Sequence, residues 1–173
     1  MTPNTIFIDC ETTGLNPFKD TIRCVAWQVN DGPILCFKPT DEHELGVFQS
    51  QMFATEYVCG HNIGFDIKFL YQAGIIKTIP KNFIDTKLLY HSLNPHESLK
   101  LKDLAEKYLG VSAIRLKDLQ TVGQGKKKKK LSFAEIPIED LMDYCKSDVF
   151  YSYELYKRYL EQERPQELTG AKK

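Results

Sequence analysis

Four acidic residues of this chain stand among apolar neighbours, where an ionised side chain is costly. Asp9 ends an apolar run that opens at Thr5, and Glu11 follows two residues on, so the two-residue period of a strand turns both carboxylates to one face. Asp66 lies between Phe65 and Ile67, one turn after Asn62, and Asp148 interrupts the inward stripe of the last helical segment. Burying such a group unpaired costs several kcal/mol even after relaxation. Only Lys68 and Lys146 stand near these carboxylates along the chain, so bound metal is the simplest compensation. Carboxylates without His or Cys at ligand spacing suit hard cations, Mg²⁺ or Mn²⁺, and one or two such ions are the usual answer to phosphate charge. Tyr144 precedes Asp148 by four residues. On a helix this sets its phenol on the same face, about one turn away, where it suits a hydrogen bond to an attacking water.

The elements that must position these groups follow from the apolar periodicity. Thr5 to Asp9 reads as a buried strand, and Arg23 to Val29 and Ile34 to Phe37 flank an Asp31-Gly32 hairpin signal, which predicts an antiparallel three-strand opening. Strand and helix then alternate: a helix over Glu42 to Phe53, a strand over Tyr57 to Gly60, and a helix over Phe65 to Ala73 stopped by Gly74. A last strand at Asn82 to Ile84 precedes helices at Thr86–Leu93 and Leu99–Leu109. Residues 111–136, with Gly123, Gly125 and the run Lys126, Lys127, Lys128, Lys129, Lys130, read as irregular. Pro137 suits the first position of a long final helix, on which Leu141, Tyr144, Cys145, Asp148, Ser152 and Leu155 fall to one side. The expected fold class is α/β, a mixed sheet covered by helices.

With 173 residues, the chain has the length of one domain, given the usual roughly 100–200 residues each. The expected division is a single domain over residues 1–163 and a polar tail over 164–173. Basic and acidic residues balance at 23 each, so overall charge predicts no partner. The balance hides a local excess, for residues 100–130 carry 10 basic against 3 acidic residues. Five scattered cysteines, Cys10, Cys24, Cys36, Cys59 and Cys145, contain no C-x-x-C and read as reduced buried thiols, which makes a zinc site an unexpected reading. The N-terminus has neither a charged leader nor a long apolar stretch. The protein is expected to be intracellular, unexported and cytoplasmic, with no membrane partner.

Three motifs now stand in order: Ile8-Asp9-Cys10-Glu11-Thr12-Thr13-Gly14-Leu15, His61-Asn62 with Asp66, and Tyr144 with Asp148. Together they resemble the motifs of the DEDD exonuclease family in its tyrosine-containing branch. Ile84-Asp85-Thr86, the segment Leu99 to Gly110, and the Gly/Lys loop leading into Leu131-Ser-Phe-Ala-Glu-Ile-Pro look like the proofreading domain of bacterial family A DNA polymerases. The resemblance covers about residues 5–160.

It implies an RNase H-like fold, a mixed five-stranded sheet whose first three strands are antiparallel, with helices on both faces. It also implies two-metal hydrolysis of DNA from 3′ ends to nucleoside 5′-monophosphates. Carried over, Asp9 bridges two ions of Mg²⁺ or Mn²⁺, Glu11 and Asp148 complete the first site, and Asp66 holds the second through water. Tyr144 with Glu11 orients the nucleophilic water. Thr12 matches a contact near the 3′ hydroxyl, Leu15 an apolar wedge beside the terminal base, and Asn62 a strand contact.

Blander readings stand beside these. Asn62 could cap the helix before Asp66, Leu15 could be core, and the lysine run could be a solvated loop rather than a phosphate contact. His61 could be mistaken for a general base, while His43, His91 and His96 read as surface residues. Phe150, Tyr151, Tyr153, Tyr156 and Tyr159 read as packing. An RNase D-like exoribonuclease shares the same carboxylate set, and a non-catalytic module that binds strands or scaffolds a polymerase is the alternative of another class. Because the chain runs from Met1 to Lys173 without a polymerase region, it is expected to find ends alone or beside a separately encoded DNA polymerase or other replication protein. Single strands are the expected preference, since melting paired ends costs roughly 1.4 kcal/mol per step.

Overall fold

A computed structural model describes residues 3–122 and 129–163. Its first strand, β1 (Thr5–Thr12), outruns the apolar segment that announces it. Pairing with β2 (Ile22–Val29) continues past Asp9 to Thr12, with an irregularity between Glu11 and Thr12, so both acidic side chains are carried on strand backbone. β3 (Leu35–Phe37) completes the antiparallel meander. After α1 (Glu42–Ala54), whose Asp41 cap accepts from the Glu44 N–H, β4 (Tyr57–Gly60) returns parallel to β1. Next come α2 (Gly64–Gln72), β5 (Phe83–Asp85) parallel to β4, and α3 (Thr86–Leu93). The sheet order β3-β2-β1-β4-β5 is a mixed five-stranded sheet, the RNase H-like arrangement expected.

Alternation along β1 decides what each face buries. Ile6, Ile8 and Cys10 pack with Val25 and Trp27 against Phe48 of α1 and Ile67 and Leu70 of α2. Phe7, with Cys24 and Ala26, faces the long α6 (Ile138–Glu163) through Leu141, Cys145, Val149, Tyr153 and Tyr156. Each large apolar side chain so buried contributes roughly 1.5–3 kcal/mol. A further layer lies behind α6, where Tyr90 of α3 and Leu104 and Ala105 of α4 (Leu101–Leu109) meet Tyr151 and Leu155. Gly110 ends α4 at φ 68°, a left-handed conformation that glycine adopts without strain.

The segment read as irregular contains more order than its sequence shows. α5 (Leu116–Leu119) and a two-residue ladder of β6 (Thr121–Val122) with β7 (Lys129–Lys130) lie there. A 3₁₀ turn over Phe133–Glu135 follows. Such pieces are too short for a periodic signal. Lys126, Lys127 and Lys128 fall outside the described residues. Pro137 stands one position earlier than expected: α6 starts at Ile138, and the Pro137 carbonyl accepts from the Leu141 N–H. Among the described residues no helix is long and apolar enough to cross a membrane.

Candidate active site

The site forms where β1 runs on beyond its parallel neighbour. β4 pairs with β1 only from Thr5 to Phe7, and further along the backbone N–H of Cys10 donates instead to Asp66 Oδ1 at 2.8 Å. Close passage of the two strands needs Gly60, since a Cβ there would lie 2.8 Å from the Ile8 carbonyl oxygen. Asp66, 3% exposed, is thereby brought from one face of the sheet to the end of the strand that carries Asp9 and Glu11.

From the other face, α6 delivers Asp148. Carboxylate oxygens of Asp9, Glu11 and Asp148 all lie within 4.8 Å of one another. Burial raises the Asp9 carboxyl to about 6, with the Cys145 hydrogen bond and the Lys102 charge opposing. Burial and then the charge of Asp9 push Glu11 and Asp66 well above the ordinary range. Such crowding is unfavourable for the ionised cluster and is relieved by cations.

One compensating charge comes from the protein itself and corrects the sequence reading. Lys102, in the first turn of α4, is 7% exposed and forms an ion pair with Asp148. Its ammonium sits 4.1 Å from the Tyr144 ring centre and 4.8 Å from that of Tyr151, at cation–π distance. Burial lowers Lys102 to about 8, against the pull of Asp9 and Glu11. Nothing in the sequence distinguished it from Lys100: its partner lies on a helix remote in the chain. One lysine cannot balance four carboxylates, and the convergent all-oxygen donor set fits hard divalent ions.

Burial and then the charges of Glu11 and Asp9 raise the Tyr144 phenol, so it stays protonated at neutral pH and can hydrogen-bond a water. His61 is excluded as a base. Its Nδ1 pairs with Thr86 Oγ1 at 2.9 Å and its Nε2 with the Leu99 carbonyl at 2.8 Å, while burial lowers its pKa. Acting as a strut, His61 ties the end of β4 to the segment that launches α4, and so helps to place Lys102.

Asp9, Glu11, Thr12, Leu15, Asn62 and Asp66 line a pocket of about 200 Å³, with Leu116 and Phe133 on its wall. Arg23 secures that wall by donating from Nη1 to the carbonyls of Phe133 and Ile136, both at 2.8 Å. Leu15 is 79% exposed and is not core. Asn62 makes no side-chain cap of α2. Its backbone is left-handed at φ 64°, and its N–H donates to Asp85 Oδ1 at 2.9 Å. The Thr12 hydroxyl donates to the Gly14 carbonyl at 2.6 Å. A second groove, of about 740 Å³, adjoins the pocket through Leu15 and Asn62 and includes Phe18, Phe65 and Tyr71. Of the lysine run, only Lys129 and Lys130 are described, as β7.

Residues 2–163 match the family model described as 3′–5′ exonuclease (DNA_pol_A_exo1). No curated protein sequence matches. Among solved structures, Brucella melitensis NrnC bound to pGG is 23% identical, with a TM-score of 0.65 over 93% of this chain and 73% of that one. Escherichia coli RNase D, described as an exoribonuclease involved in structured RNA processing, is 15% identical, with a TM-score of 0.64 over 92% of this chain and 39% of that one. The family B DNA polymerase of Pyrobaculum calidifontis is 16% identical, with a TM-score of 0.63 over 92% of this chain and 25% of that one.

Proposed function

The chain belongs to the 3′–5′ exonuclease family, and from that premise we propose that it hydrolyses DNA from the 3′ end, releasing nucleoside 5′-monophosphates, with residues 1–163 as the catalytic unit. The family's cofactor is a pair of divalent ions, Mg²⁺ or Mn²⁺, which when bound supply Lewis-acid stabilisation to the attacking and leaving oxygens of an in-line displacement. The observation that carries the reading is the convergence of Asp9, Glu11 and Asp148, with Asp66 buried at the same strand end.

Each residue has a separable task. Asp9 would serve both ions, Glu11 and Asp148 would complete the first site, and Asp66 would hold the second. Tyr144 and Glu11 orient the nucleophilic water, the tyrosine as a neutral hydroxyl. Lys102 fixes the Asp148 carboxylate and offsets part of the cluster's charge. Thr12 meets the 3′-terminal sugar, the exposed Leu15 wedges beside the terminal base, and Asn62 contacts the strand. The adjoining groove with Phe18 and Phe65 offers apolar and aromatic surface on which an unstacked base can lie. Lys126 to Lys130 provide phosphate contacts.

Product analysis on 3′-labelled and 5′-labelled single strands with Mg²⁺, Mn²⁺ or EDTA tests the reading. Release of mononucleotides from the 3′ label at once, a descending ladder from the 5′ label, and no reaction in EDTA are expected. An exoribonuclease is the second reading, favoured by the RNase D likeness and by NrnC bound to pGG. Matched DNA and RNA oligonucleotides assayed side by side decide between them. Measurable turnover by itself disposes of a non-catalytic module. The resemblance to polymerase proofreading domains also supports a DNA polymerase as partner, for which faster excision at mismatched than at matched primer ends in its presence is the expected sign.

A further inference from the structure

Three of the five cysteines, scattered in sequence, meet in space. Sγ atoms of Cys24, Cys36 and Cys145 all lie within 4.8 Å of one another. They come from β2, β3 and α6 respectively. Register explains the convergence: Cys36 stands opposite Ala26 and Cys24 opposite Glu11, so strand alternation turns both strand thiols to the face that α6 covers with Cys145. Cys145 Sγ is also 3.3 Å from Asp9 Oδ2. The thiols therefore form a cluster abutting the carboxylate assigned to both catalytic ions, yet no step of hydrolysis uses them. All five cysteines are free, and Cys36 is the only one not fully buried, which leaves an approach from the β3 edge.

We propose that Cys24, Cys36 and Cys145 form a binding site for a soft divalent ion of the zinc class, with the Asp9 carboxylate as fourth ligand. Tetrahedral zinc holds thiolate sulfurs at about 2.3 Å and carboxylate oxygens at about 2.0–2.2 Å, which sets neighbouring sulfurs about 3.8 Å apart. The three sulfurs lie within 4.8 Å of one another before any ion is bound, close to that spacing. Soft thiolates select zinc over magnesium, while the all-oxygen cluster next to them selects the reverse, so two chemically distinct sites share one residue. On binding, each thiol coordinates as thiolate and gives up its proton to solvent. Occupation draws Asp9 away from the magnesium ligands and shuts hydrolysis down. This regulatory half rests on the exonuclease reading; the existence of the site does not.

The test titrates the full chain with Cd²⁺ alone, under reducing conditions and saturating Mg²⁺, and follows the ultraviolet thiolate-to-cadmium charge-transfer absorption. One equivalent bound with three-thiolate intensity is expected. Cys36→Ser, and independently Cys24→Ala, should lower the intensity to that of two thiolates. Each should weaken affinity by at least about a hundredfold, beyond the 10–100-fold typical of outer-shell partners. Intensity of fewer than three thiolates in the wild type, or no change in either variant, overturns the site. In the nuclease assay, Zn²⁺ added to the Mg²⁺-loaded protein should slow the wild type at least about tenfold and Cys36→Ser less than about twofold, as removal of a ligand implies. Equal slowing of both overturns the shared use of Asp9. A chain without nuclease activity would still report the thiol site through its absorption.

Discussion

At the scale of single residues, Asp9 bears the greatest weight, because two sets of ligands converge on it. Asp9→Ala should abolish hydrolysis while the protein stays folded, since the substitution removes an acidic group from a crowded cluster. Retention of more than about 5% of the rate, well above what losing one essential group in a catalytic unit leaves, would contradict its assignment, and a circular-dichroism melt verifies folding. Tyr144→Phe should be milder. It removes one hydrogen bond to the water and no ligand, so a loss on the order of ten- to a thousandfold is expected, read in single-turnover rates with strand affinity unchanged. A wild-type rate would make the tyrosine a packing residue. Lys102→Met leaves the buried Asp148 unpaired. The cluster then depends on cations alone for its balancing charge, so in urea unfolding the variant should gain more from added Mg²⁺ than the wild type does, and it should lose the rise in stability above about 8 that the titration of Lys102 itself produces.

The elements differ in how they carry the site. β1 presents its carboxylates by alternation alone, whereas α6 presents Tyr144 and Asp148 because its opposite flanks are pinned between the sheet and the α3–α4 layer. The β6–β7 ladder pairs Thr121 and Val122 with Lys130 and Lys129, the described part of the lysine run. Replacing Lys126 to Lys130 by Ser should weaken single-strand affinity and flatten its dependence on log salt by roughly 0.7 for each phosphate no longer neutralised, with a smaller change in turnover at saturating DNA. Binding isotherms at several salt concentrations check this, and an unchanged slope would leave the run as a solvated loop.

For the whole molecule, the carboxylate cluster couples stability to pH and metal. The folded state holds a proton on Asp9 up to about 6, above its ordinary value, and Glu11 and Asp66 are raised in the same sense. Between the ordinary carboxylate range and about 6 the folded chain thus binds more protons than the unfolded one, and metal-free stability should fall as pH rises through that window. Lys102, lowered to about 8, acts oppositely at alkaline pH: stability should rise from about 8 towards its ordinary value, because there the unfolded chain binds the extra proton. Denaturant unfolding from acid to alkaline pH in EDTA should trace a minimum near neutrality. Saturating Mg²⁺ should fill that minimum, since cations take the place of protons, and a curve indifferent to Mg²⁺ would separate the cluster from metal binding.

Much of this was readable along the chain. The Asp9–Glu11 alternation, the Tyr144–Asp148 helical spacing and the order of strands and helices are local patterns, set by the periods of two and 3.6 residues, and they point to the carboxylate cluster without reference to tertiary packing. What depends on chain segments remote from one another had no such period to reveal it. Lys102 meets Asp148, Arg23 holds the Phe133 and Ile136 carbonyls, and His61 bridges to Leu99 only once the layers are stacked. The cysteines show the division most sharply: in sequence they are isolated apolar residues, and only the register of β1, β2 and β3 with α6 laid across them brings three sulfurs together beside Asp9. Sequence periodicity determines which way a side chain points within its own element, whereas which other side chains it meets there is decided by how the elements pack.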